Sequence, residues 1–235
     1  MVKVSLADRI IDINFRDARF GSFFDRWKTD NGEPELCVVT NEQNIAPERI
    51  WKNQDDFYPE SSAILRQIAE WLPLRNCFVL HSAVFDVGGT GIAFAAHLLL
   101  WKKLLGDRLK IINGDKPIIR FFDGEPNIPY AYGTPWNGKE GLGSAERTRL
   151  RHLCFIERAD ENSCTEVSAN DIVNRIFDQV YMPHNPAAAA STLGLINRLL
   201  SSVRLWKICC NMDISAAKTA YDAILGDERK NQDEA

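Results

Sequence analysis

The 235-residue chain predicts an α/β fold: a mixed, twisted sheet with flanking helices and a strand-rich N-terminal cap. Three observations carry this. Residues 77–122 run as apolar strands separated by glycine turns, with one short apolar helix among them. Residues 150–157 form a second strongly apolar strand. From Ser168 onward the apolar residues recur with helical period, interrupted by one strand at 205–210. Hydrophobic residues make up 45% of the chain, enough for a packed core and against global disorder. The length suits one domain with a small appendage. The expected division is a cap over 1–75, a core over 76–226 and a flexible tail over 227–235.

Taken in order, residues 3–15 carry Val4, Leu6, Ile10, Ile11, Ile13 and Phe15 and predict a strand or hairpin. Phe20 to Trp27 reads as a short helix or loop, and Leu36 to Val39 as a short strand. Ser61 to Leu72 predicts a helix with serines at its start and Pro73 as its stop. Cys77 to Val87 predicts one long strand. Gly88-Gly-Thr-Gly91 turns it back into Ile92 to Ala96 as a hairpin. A helix over 97–105 ends at Gly106. Strands follow at 109–113 and 117–122, then a short extended segment at 130–132 and an ordered loop at 133–139. Ser168 caps a helix reaching about Tyr181. A second helix spans 187–202, a strand 205–210 and a last helix 215–225, with a frayed tail from Gly226.

Composition limits the function. The net charge of −4 gives a nucleic-acid role no electrostatic support. No run approaches the roughly 18 apolar residues of a membrane span. The N-terminus lacks a signal-peptide core, so a cytoplasmic location is expected. Among the six cysteines there is no CxxC pair, and Cys77, Cys154 and Cys209 sit in apolar strand-like runs as buried reduced thiols. Cys209 and Cys210 point to opposite faces of a strand and do not share a metal. His81, His97, His152 and His184 show no ligand spacing.

The order strand, turn, strand, helix, acid-ending strand is the setting in which a glycine-rich loop holds phosphates at a helix N-terminus. The segments that fill it are Leu80-His-Ser-Ala-Val84, Asp86-Val-Gly-Gly-Thr-Gly-Ile-Ala-Phe94 and His97-Leu-Leu-Leu-Trp101. Asn113-Gly-Asp-Lys-Pro117, Tyr132-Gly-Thr-Pro-Trp-Asn-Gly-Lys139, Leu153-Cys-Phe-Ile-Glu-Arg158 and Cys210-Asn-Met-Asp213 follow. On these segments, over roughly residues 76–222, the chain resembles the HPr kinase / PEP carboxykinase-like P-loop kinases. The nearest likeness is to the HPr-kinase-related subfamily found beside peptide-modification genes.

The resemblance implies ATP-dependent phosphoryl transfer to a hydroxyl of a protein, peptide or small molecule, with Mg²⁺ bridging the phosphates and Asp115. It implies catalytic roles for Asp115 and His81, and nucleotide or phosphate contacts at Ala96, His97 and Lys139. Substrate contacts are implied at Trp136, Asn137 and Arg147. Arg149, Arg151 and Arg158 add positive charge that suits an anionic substrate. A homo-oligomer stays open. The plainer readings are a turn aspartate for Asp115, a core histidine for His81, solvated side chains for Lys139 and the arginines, and core positions for Trp101 and Trp206.

Two departures matter. Relatives carry a Ser-Gly-x-Gly-Lys-Ser/Thr-Thr-His loop before the Leu-Trp pair. Here Phe94-Ala-Ala96 meets His97 with about eight residues missing. Gly88-Gly-Thr-Gly91 is no substitute, because it lacks a lysine and lies before the return strand. HPr kinases also have two consecutive acids where this chain has Gly114-Asp115. Three accounts of the junction stand: loop residues left out of the sequence, a natural pseudokinase, or an engineered deletion. The intact flanks favour the first. The rival function is a non-catalytic binding module for a peptide or partner enzyme. A carboxykinase is a weaker third reading, since its histidine–lysine metal site cannot be assembled.

Overall fold

Residues 2–14 form a hairpin, β1 (Val2–Leu6) and β2 (Arg9–Asn14), whose tight turn holds Ala7 and Asp8 at positive φ. The computed structural model describes residues 1–51, 54–94, 98–211 and 213–233, with backbone alone at 98, 126 and 227–233. A short helix, α1 (Phe20–Phe23), and a 3₁₀ turn over 25–27 precede β3 (Leu36–Val39), which pairs parallel with β2. After α2 (Glu42–Ile45) comes α3 (Phe57–Trp71). The three-stranded sheet and α3 bury Val4, Ile11, Ile13, Phe20, Ile64 and Ile68 together.

α3 starts at Phe57, four residues before the expected Ser61. Its first turns are not a surface start: Glu60 and Ser61 are buried inside the cap. Glu60 accepts the backbone N–H groups of Arg16 (2.6 Å) and Asp17 (3.0 Å), and the Thr40 hydroxyl.

The main sheet holds β4 (Cys77–Val79), β5 (Ala83–Val87), β6 (Thr90–Phe94), β7 (Lys110–Asn113), β8 (Ile118–Phe122), β9 (Glu125–Tyr132), β10 (Arg147–Arg158), β11 (Ser163–Glu166) and β12 (Arg204–Cys210). The path is β4-β8-β9-β10-β6-β5-β7, with β12 also on β10 and β11 on β12. β10 is the hub. Its first residues pair antiparallel with β9, its middle parallel with β6, and its remainder parallel with β12. The sheet is therefore mixed and curled.

The expected single strand 77–87 is broken at Leu80–Ser82. There the chain leaves its pairing with β8 and enters the β5–β6 ladder, with the His81 N–H donating to Gln179 O at 2.6 Å. The β5–β6 hairpin forms as expected. Gly88 (φ 62°) and Gly89 (φ 88°) are the two turn residues between paired Val87 and Thr90, a conformation that favours glycine.

Helices cover the sheet. α4 (Leu98–Leu105) and α7 (Ile214–Asp233) pack with Phe85, Phe94, Trp101 and Trp206 on one side. α5 (Ala169–Phe177) and α6 (Pro186–Ser202) bury Ile172, Ile176, Leu195 and Leu199 against Val84, Leu150 and Phe155. α5 stops four residues before Tyr181, because Gln179 and Val180 turn aside to bridge residues 80–81. α7 continues to Asp233, where a frayed tail was expected from Gly226. β11 had no expectation; its polar alternation is short and weak. Cap and core share one apolar cluster, which joins Val4 and Ile64 to Val79, Ile118 and Trp136.

Candidate functional site

β5, β6 and β7 align their ends along one edge of the sheet. Phe94, the last residue of β6, pairs with Ala83, the first of β5; Asn113, the last of β7, pairs with Val84. Residues 80–82 entering β5 thus lie beside residues 114–117 leaving β7. The Ser82 N–H donates to Asp115 O at 2.9 Å and the Leu80 N–H to Pro117 O at 3.0 Å. This backbone lacing sets His81 Nε2 3.0 Å from Asp115 Oδ1. Lys116 Nζ donates to the same oxygen at 2.7 Å. The His81 side chain is 57% exposed, so it is not a core histidine.

Asn113 fixes the turn. It is fully buried, and its Oδ1 accepts the N–H groups of Asp115 (2.8 Å) and Lys116 (2.7 Å). Its Nδ2 donates to Thr134 O (3.0 Å) and Oγ1 (3.1 Å), and Thr134 Oγ1 donates to Lys116 O (2.7 Å). The side-chain amide replaces backbone pairing at a strand end. Sequence reasoning missed Asn113. Its signal was an asparagine closing an apolar strand two residues before an aspartate.

Gly114 is required by close approach: a Cβ there would meet Asn137 O at 2.4 Å and Leu142 O at 3.0 Å. The second acid of the kinase pattern has no room at this position. Asp115 is thus one carboxylate bracketed by an imidazole and an ammonium. Both groups meet the same oxygen, Oδ1, and hold the carboxylate in place. Among the described residues no group of three His, Cys, Asp or Glu side chains converges on a metal position. Beside the cluster opens a cavity of about 220 Å³, with Leu65, Ala69, Val79 and Val180 as apolar walls and His81 and Lys116 as polar members.

The remaining expected residues fall elsewhere. Trp136 is buried, and its indole N–H donates to Ser61 Oγ at 2.9 Å while its ring meets Phe23 and Phe24 edge-on. With the Trp27 indole donating to Gly133 O at 3.0 Å, this makes the 132–139 segment a joint between cap and core. Asn137 is half-buried and presses its backbone on Gly114. Lys139 is exposed and has no ion-pair partner among the described residues. Arg147 belongs to a separate cluster: it donates to Tyr132 Oη at 2.6 Å, and Tyr132 donates to Asp8 at 2.5 Å. Burial and the Asp8 hydrogen bond push the Tyr132 hydroxyl up to about 12.

Ala96 and His97, the expected phosphate-site residues, lie outside the described residues. They are consecutive in the sequence. Only Ala95, Ala96 and His97 separate the end of β6 from the start of α4. No protein-family model and no curated protein sequence matches the chain. Among the described residues no helix is long and apolar enough to cross a membrane.

Proposed function

We propose that this chain is a non-catalytic binding module, built on a scaffold like that of the HPr kinase / PEP carboxykinase group and without phosphoryl transfer. One observation carries the reading: the connection from β6 to α4 is Ala95-Ala96-His97. A phosphate-binding loop needs about eight residues, with glycines to bring backbone N–H groups inward, a lysine for the β- and γ-phosphates and a hydroxyl for Mg²⁺. Three residues without glycine, lysine or hydroxyl supply none of these. Asp115, already engaged by His81 and Lys116, then acts as a structural anchor of the β5 and β7 ends. The occupant class is a peptide or a partner enzyme.

The phosphotransferase reading rests on a different observation. Asp115 stands at the same sheet edge as Phe94, where β6 runs toward α4, and ligands of open α/β sheets bind beyond the carboxyl ends of strands. In that reading ATP and Mg²⁺ meet Asp115, and His81 assists. Titration with Mg-ATP separates the two. The binding-module reading expects no saturable binding at millimolar nucleotide; micromolar, Mg²⁺-dependent binding overturns it.

A further inference from the structure

Several arginines of this acidic chain are answered by carboxylates: Arg9 by Glu35, Arg49 by Glu42 and Asp56, Arg175 by Glu157. Arg149 and Arg151 are not. Both are exposed on β10, and neither makes an ion pair or a side-chain hydrogen bond among the described residues. They line one cleft of about 300 Å³, at the point where α6 ends and β12 begins. Among the described residues none that lines this cleft is acidic.

A β-bulge shapes this wall. Against β6, Leu150 pairs with Gly91 and His152 with Ile92, so Arg151 is the extra residue. The strand changes face across it. Leu150 and then Leu153 pack toward α5 and α6, whereas Cys154 packs toward α4 and α7. The backbone behind is tight: a Cβ on Gly91 would meet Arg149 O at 2.6 Å. Arg204 is a third cation on the cleft, but its charge is answered. Its Nε and Nη2 donate to Glu166 at 3.0 and 2.7 Å, and its guanidinium lies 4.8 Å from the Trp206 ring centroid. The Ser201 and Ser202 hydroxyls turn back to donate to Asn197 O (2.8 Å) and Arg198 O (2.5 Å).

The plainest role for the two arginines is to answer the C-terminal end of α6. A helix end carries only about half a negative charge, so two guanidinium groups leave a surplus of roughly one and a half positive charges. We infer that the cleft binds a small organic phosphate monoester. At neutral pH that group carries about −1.5 to −2 charge and three acceptor oxygens, which matches the surplus and lets two guanidinium groups share one ligand. A carboxylate brings a single charge and two oxygens and leaves part of the surplus standing. Pro129, Leu150 and Val203 give the organic part an apolar wall. The cleft lies at the Gly91 end of β6, opposite Phe94 and the connection to α4. The inference therefore stands apart from the binding-module reading.

The test is isothermal titration calorimetry of the full chain at low ionic strength with butyl phosphate. Inorganic phosphate, acetate and a short phosphoserine peptide serve as comparisons. Butyl phosphate is expected to bind saturably, inorganic phosphate more weakly because it leaves the apolar wall uncovered, and acetate not at all. Arg149→Gln combined with Arg151→Gln is expected to weaken butyl phosphate by about tenfold or more, through the loss of charge-assisted hydrogen bonds. The melting temperature stays unchanged, as for exposed side chains. Arg26→Gln combined with Lys28→Gln removes the same charge from a different cleft and is expected to leave binding unchanged. Absence of saturable binding, butyl phosphate no tighter than inorganic phosphate, or equal weakening by the two pairs of substitutions overturns the proposal. Tighter binding of the phosphoserine peptide than of butyl phosphate overturns it too, by assigning the cleft to a modified protein instead of a small molecule.

Discussion

Glu60 is 1% exposed, and its carboxylate is the acceptor for two backbone N–H groups and a hydroxyl from other parts of the cap. Glu60→Ala orphans the two backbone N–H groups and leaves the Thr40 hydroxyl only Asn14 O, at 3.2 Å. It is expected to cost about 3 kcal/mol or more, read as a shift in urea midpoint, with Glu60→Gln recovering part of it. Gly114 makes a sharper case, because a family pattern asks for an acid there. Gly114→Asp drives a Cβ into Asn137 O at 2.4 Å. The expected outcome is a loss of stability of about 2 kcal/mol or more and no gain in nucleotide or metal binding. A stable Gly114→Asp variant that binds Mg²⁺ contradicts this. Neither contact is legible in the sequence. Glutamate inside a helix reads as a solvated residue, and a glycine before aspartate reads as a loose turn. What decides both is the approach of segments twenty or more residues away.

Among the elements, α3 and the connection from α5 to α6 depend on one carboxylate. Glu70 accepts the His184 N–H at 2.9 Å, its ring nitrogen at 2.7 Å and the Tyr181 hydroxyl at 3.0 Å. Burial pushes the Glu70 carboxyl up, but these hydrogen bonds outweigh it and hold it below its ordinary 4.5. A group depressed in the folded state contributes stability above its unfolded value and loses it as pH falls through the folded one. Urea midpoints are therefore expected to drop below about pH 4.5, and Glu70→Gln is expected to flatten part of that drop. An identical acid limb in wild type and variant contradicts the assignment.

At this scale the sequence was most readable where periodicity ruled. The β5–β6 hairpin at Gly88-Gly89, α6 and β12 follow from turn chemistry and apolar spacing. It was least readable at Leu80–Ser82, since an unbroken apolar run hides a change of partner strand. Of the candidate site, the nearness of Asp115 to the strand ends was readable. The His81 contact was not, because it depends on Ser82 and Leu80 bonding to residues 115 and 117.

For the whole molecule, the curled mixed sheet with helices on its faces is a scaffold on which many functions can be placed. The proposed function rests on the connection after β6. Ala95-Ala96-His97 contains no glycine, lysine or hydroxyl with which to grip phosphate. The most direct measurement is the melting temperature of the full chain across a Mg-ATP titration. A site with Kd near 10 µM adds about 2.7 kcal/mol at a hundredfold excess, a rise of roughly 5–10 °C for a chain of this size. The binding-module account predicts an unchanged melting temperature at millimolar Mg-ATP; a saturable rise of that size, lost in Asp115→Ala, contradicts it.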